Sequence, residues 1–135
     1  MGAWGIATFE DDSSLDWLCD LVEEERPLAF LKECLNLKGT DEFEYMHCTG
    51  ILCAAVMIDA LLNGATRDLP DSAVEWLANY KQLKVQKLVP AAIAGLDRVL
   101  GDNSEMNETW AEDSALHAKW KRRANSIKKR LSKSL

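Results

Sequence analysis

The chain has only two histidines, His47 and His117, and neither has a sequence neighbour that would complete a nucleophile–base pair. Its four cysteines, Cys19, Cys34, Cys48 and Cys53, form no C-x-x-C pair and show no histidine spacing suggestive of zinc. No acidic loop of calcium-site type occurs. Residues 1–10 lack the basic and long apolar segments of a signal peptide, and Ile6 stands where myristoylation requires Ser or Thr. No stretch alternates apolar and polar residues, so strands are not expected. With the common metal, redox and nucleophilic signatures missing, the expectation is a cytoplasmic protein that is not an enzyme and uses no cofactor or metal.

What is present suits one compact domain. At 135 residues the chain is long enough to bury a real core. Its 47% hydrophobic and 28% charged content is ordinary for a soluble globular protein. The net charge of −6 conceals a strong asymmetry. Residues 1–45 carry 12 acidic and 3 basic side chains, residues 46–118 carry 10 and 5, and residues 119–135 carry none and 8. An acidic head is therefore paired with a basic tail, which bears on partners and solubility more than on fold.

Gly50–Leu62 is the organising stretch, apolar except for Asp59. A helix apolar on every side belongs inside a fold, and this stretch is shorter than the roughly 20 residues of a membrane span. Around it the periodicity predicts about six helices and an all-α fold, with the central buried helix over about 43–63 and an irregular N-terminal arm over 1–9. Asp12 or Ser13 is placed to cap a first helix running to about Glu25, with Leu15, Leu18, Leu21 and Val22 as its apolar stripe. Pro27 opens a second helix, striped by Leu28, Leu31, Cys34 and Leu35 and stopped by Gly39. Thr40 or Asp41 is expected to cap the third helix, with Glu44 completing a capping box, and Asn63-Gly64 to end it. Ser72-x-x-Glu75 reads as a capping box for the fourth. Leu83–Val99 forms a fifth, in which Pro90 marks either a kink or the true first turn. Ser104 caps a single long last helix along Trp110, His117, Trp120, Ala124, Ile127 and Leu131.

Met1-Gly2-Ala3-Trp4-Gly5, followed by Phe9-Glu10-Asp11-Asp12 and Leu15-Asp16-Trp17-Leu18, resembles the start of the bacterial family catalogued as domain of unknown function 4259. The small-residue helix around Ala54-Ala55 and the Ser104-Glu105-Met106 turn leading to Trp110 extend the resemblance over nearly the whole chain. Two departures stand out. The family pattern has an Asn before the Asp at the Asp11–Asp12 position, and an acid after the alanine pair where this chain has Val56. Asp59, one turn later on the same face, is placed to take over that acid's structural job. The resemblance implies a small helical cytosolic protein and supplies no catalytic residues.

Asp12, Asp16, Asp20, Glu23 and Glu24 recur at three- and four-residue steps and so share a face of the first helix. Asp41, Glu42 and Glu44 add a second acidic knot. The plain reading of these acids is a solvated face, and the functional reading is a docking surface for a basic partner. For His47, His117 and the five tryptophans (Trp4, Trp17, Trp76, Trp110, Trp120) core or boundary packing outweighs ligand binding. The cysteines read as buried, reduced thiols. The basic tail lacks interleaved aromatics beyond Trp120, and the rest of the domain, at −14, would repel a phosphate backbone. Its expected role is to complement the acidic head. Asp59 needs a hydrogen-bonding or arginine partner, and Arg98 is the expected one.

The leading expectation is an immunity protein, antitoxin-like, that binds and blocks a basic bacterial toxin, a nuclease foremost, as in contact-dependent inhibition. Asp12, Asp16, Asp20, Glu23, Glu24, Asp41, Glu42 and Glu44 would be its contact residues, with no direct nucleic-acid or membrane contact. The alternative is a structural or regulatory helical adaptor, or a self-associating protein using its opposed charges, without enzymatic activity.

Overall fold

A computed structural model describes residues 8–37 and 43–135, and in them the chain is all-α. Seven helices make up this part: α1 (Asp12–Glu23), α2 (Pro27–Cys34), α3 (Tyr45–Asn63), α4 (Asp71–Asn79), α5 (Val89–Leu100), α6 (Glu105–Trp110) and α7 (Ser114–Ser132). α3 is the hub, packed against each of the other six. Every residue from Cys48 to Ala60 is buried, as an all-round apolar sequence requires.

α3 spans 19 residues, more than its apolar centre suggests, and at a mean hydropathy of 1.6 it is long and apolar enough to cross a membrane. Its surroundings argue otherwise, because 72% of its most apolar window is buried inside the fold. Asp59, 1% exposed, also carries an ion pair there.

Capping explains where the helices differ from expectation. Asp11, not Asp12 or Ser13, caps α1: its Oδ1 accepts from the Ser14 amide at 2.7 Å, and the residue is 8% exposed. Ser14, Trp17, Leu18 and Leu21 turn inward, while Val22, expected in the stripe, is 47% exposed. α2 ends at Cys34, well before Gly39, which lies outside the described residues. Thr40 and Asp41, the expected caps of α3, lie outside them as well. α3 starts only at Tyr45, with Glu44 at the capping position but without a side-chain cap bond. The cause is Phe43, whose amide donates to the Asn103 carbonyl at 2.8 Å and whose carbonyl accepts from the Glu105 amide at 2.9 Å. That bridge, isolated and parallel, ties residue 43 to Ser104 and delays the helix.

Gly64 ends α3 in the left-handed conformation, φ +68°, with its amide on the Ala60 carbonyl at 3.0 Å. The Ser72–Glu75 capping box does not form: Pro70 holds the capping position of α4, which puts Ser72 inside the first turn. Pro90 belongs to the first turn of α5, which is preceded by a 3-10 turn over Gln86–Leu88. The single long last helix is in fact two. Ser104 Oγ caps α6 by accepting from the Asn107 amide at 3.2 Å, and Asp113 Oδ1 then starts α7 by accepting from the Ala115 and Leu116 amides, both at 3.1 Å. The bend lets Trp110 stack on Trp120, ring centres 6.0 Å apart and planes 14° from parallel.

Two helical glycines behave differently. A Cβ on Gly50 would meet Cys34 and Trp17 at 3.8 Å and beyond, ordinary contact. A Cβ on Gly95 would lie 2.7 Å from Ile51 Cγ2, so α5 approaches α3 through a glycine. The close-approach residue of the core is therefore Gly95.

Candidate functional site

The outer face of α1 carries the acids. Asp12, Asp16, Asp20 and Glu23 are exposed, and among the described residues none of the four makes an ion pair or side-chain hydrogen bond. They stand opposite the buried Ser14, Trp17, Leu18 and Leu21, whose packing on α3 fixes the helix and hence the direction of the carboxylates. Glu24, half-buried at the end of α1, turns Oε1 onto the Arg26 amide at 3.2 Å. Glu44 is exposed at the head of α3, and Asp41 and Glu42 lie outside the described residues.

The basic helix does not neutralise this face. In α7, Arg123 pairs with Asp68 at 3.2 Å, Lys128 with Asp97 at 2.5 Å and Arg130 with Asp59 at 2.8 Å. Those acids lie in the middle of the sequence, so the expected complement of head by tail within one molecule is not what the described residues show. Lys119, Lys121, Arg122, Lys129 and Lys133 remain exposed.

Asp59 does have an arginine, but it is Arg130 and not Arg98. Its Oδ2 accepts from Arg130 Nε at 2.9 Å and Nη2 at 2.8 Å, and its Oδ1 accepts from Asn63 Nδ2 at 2.8 Å. Such a set satisfies a buried carboxylate without displacing it from the core. Arg98 instead places its guanidinium 4.3 Å from the centre of the Phe43 ring. Around the Asp59 pair lies a cleft of about 390 Å³, bordered by Val56, Asn63, Arg67, Asp68, Arg123 and Arg130 among others. Periodicity cannot show this cleft, since it joins the end of α3 to residues some 70 positions away.

The histidines are satisfied structurally. His47 Nε2 sits 3.1 Å from the Asn36 carbonyl, with its ring edge-on to Phe43. His117 Nε2 sits 2.6 Å from Asn107 Oδ1 and stacks on Trp120. Trp17, Trp76, Trp110 and Trp120 are core residues, and Trp4 lies outside the described residues. Cys48 and Cys53 are buried and Cys34 half-buried, but Cys19 is exposed, contrary to the uniform burial expected. Burial pushes the thiols of Cys34, Cys48 and Cys53 up from their ordinary value. Among the described residues no three His, Cys, Asp or Glu side chains are grouped as metal ligands would be.

A second concavity, of about 440 Å³, lies between α1 and α4 and is lined by Val22, Ser72, Glu75, Trp76, Asn79 and Tyr80. Trp76 and Tyr80 stack there with ring centres 4.8 Å apart. Nothing in the sequence pattern points to this groove. Trp76 reads as core, and nothing in the spacing brings Val22 of α1 to it.

The model of the family described as Domain of unknown function (DUF4259) matches residues 2–123, and the chain belongs to that family. No curated protein and no solved structure matches it. The Ser104-Glu105-Met106 turn is structural: Ser104 is fully buried, caps α6 and lies 3.5 Å from Cys48 Sγ. Val56 follows the alanine pair Ala54-Ala55, and the buried carboxylate one turn on is Asp59.

Proposed function

We propose that the protein is an immunity-type inhibitor, acting in the cytoplasm, that binds a basic bacterial toxin, foremost a nuclease, through the outer face of α1. The observation that carries this reading is the row Asp12, Asp16, Asp20 and Glu23: four exposed carboxylates on one rigid helix, none engaged by the chain's own cations among the described residues. A row of this kind offers a basic cleft a substitute for phosphate and speeds encounter by electrostatic steering. Glu24 and Glu44, and by sequence alone Asp41 and Glu42, which lie outside the described residues, are the further acids included in this proposal.

The test is co-expression with the product of the adjacent gene. Growth arrest caused by that product and relieved by this chain is the expected result. Relief should be lost in the combined variant Asp12→Asn, Asp16→Asn, Asp20→Asn and Glu23→Gln. A neighbouring product that is neither toxic nor bound would overturn the proposal.

The exposed cations of α7 favour one other reading, a helical adaptor that associates head to tail with copies of itself. Sedimentation across salt concentrations separates the two. A dimer that dissociates as salt rises supports the adaptor, whereas a monomer that binds a basic protein tightly supports inhibition.

A further inference from the structure

We infer that the groove between α1 and α4 is the anchor pocket of the interaction surface, and that it takes an arginine side chain of the basic partner. The inference rests on the α1 reading above and goes beyond it, because the acidic row supplies attraction while the groove supplies a place for one side chain to be held.

Three observations point to arginine. The groove has an aromatic wall in the half-buried Tyr80 ring, backed by the buried Trp76 ring that stacks on it at 4.8 Å and 25°. A planar guanidinium stacks on such rings, and arginine does so more often than lysine. Among the described residues Glu75 is the one charged member of the lining, which makes it acidic, and Asn79 and Ser72 offer further acceptors for a fork of N–H donors. Val22, 47% exposed on α1, gives the aliphatic stem an apolar contact.

A fourth observation concerns Trp76 itself. The residue is 3% exposed, and its indole N–H, buried, has no acceptor among the described residues. A buried donor without a partner is uncommon, and because Trp76 lines the groove its indole N–H reports on what enters there. Aromatic and arginine anchors in a water-excluding pocket are also where binding energy concentrates in protein interfaces. The groove opens beside α1, where Leu15, Cys19 and Val22 form a strip between the helix's acidic outer face and its buried side. One basic partner can therefore cover both.

The test uses the full chain, labelled with nitrogen-15, titrated at low salt with oligoarginine and, separately, with oligolysine. Oligoarginine is expected to shift the Trp76 indole N–H resonance and the amides of Val22, Glu75, Asn79 and Tyr80, together with those of Asp12, Asp16, Asp20 and Glu23. Oligolysine is expected to move the α1 amides alone. Tyr80→Ala and Glu75→Gln should each weaken the groove response by about tenfold while leaving the α1 response in place. Val22→Lys, an exposed change that does not touch the core, should do the same through repulsion, and guards against a folding defect in Tyr80→Ala. Shifts confined to the α1 amides, with Trp76 unmoved, would overturn the groove and leave the acidic face standing. A chain whose resonances respond to neither peptide would overturn both.

Discussion

Arg130 holds Asp59 across 71 positions of sequence, with Nε at 2.9 Å and Nη2 at 2.8 Å from the same carboxylate oxygen. The pair is lopsided: the Asp59 side chain is 2% exposed and that of Arg130 is 43% exposed. Removing the arginine therefore leaves a charge in the core, whereas removing the aspartate leaves a cation already near water.

Arg130→Leu should accordingly destabilise the protein by about 3 kcal/mol, the low end for an orphaned buried charge because Arg130 is itself half in solvent. The double variant Asp59→Leu, Arg130→Leu should recover most of that loss, since an apolar pair leaves no buried charge. Urea unfolding of the two single variants and the double variant measures both. A double variant no more stable than Arg130→Leu would refute the argument.

The two helical glycines should respond in opposite ways to alanine. Gly50→Ala finds ordinary contacts and gains helix propensity, so stability should rise by roughly 0.5–1 kcal/mol. Gly95→Ala drives a methyl group against the stiff, fully buried Ile51 and should cost about 1–3 kcal/mol. Thermal melts of the two variants side by side give the signs directly.

Thiol chemistry should sort the cysteines by position. Cys19, exposed on α1, should be the fast-reacting thiol of the native protein towards a chromogenic disulfide reagent, and Cys19→Ser should remove that phase. Cys53, buried and with its thiol pushed up by loss of solvent, should react only as the chain unfolds. A fast phase that survives Cys19→Ser would show that another thiol opens to solvent.

Tyr45 should weaken the fold in alkali. Burial, with the Asp11 carboxylate adding to it, pushes its phenol up to about 12 from an ordinary value near 10. Because the folded value is the higher one, the stabilisation is complete below about pH 10 and is lost as the pH rises towards 12. The urea midpoint of the native sequence should fall over that interval more than that of Tyr45→Phe. Equal falls would clear Tyr45 of the effect.

The sequence alone determined the helical class, the single-domain architecture and the central place of the Gly50–Leu62 stretch. It did so because a helix with apolar residues on every side, and neighbours with stripes three and four apart, can bury their surfaces only by packing together. The acidic row of α1 was legible for the same reason: three- and four-residue spacing is a local property of one helix. Its exposure follows from the buried residues on the opposite side.

What only the tertiary structure decided depends on contacts between distant residues. The sequence points to Arg98 as the partner of Asp59, and the packing of α7 on α3 brings Arg130 there instead. The start of α3 is set by the Phe43–Ser104 bridge, over a span of residues to which no helical pattern applies. The last helix divides because Asp113 can accept two amide hydrogen bonds where the chain turns, so that Trp110 can lie on Trp120. The groove of Val22, Trp76 and Tyr80 exists only because α4 lies beside α1. Periodicity specifies which face of each helix is apolar, but the choice of neighbour rests on the fit of whole surfaces, and that fit is settled when the helices pack.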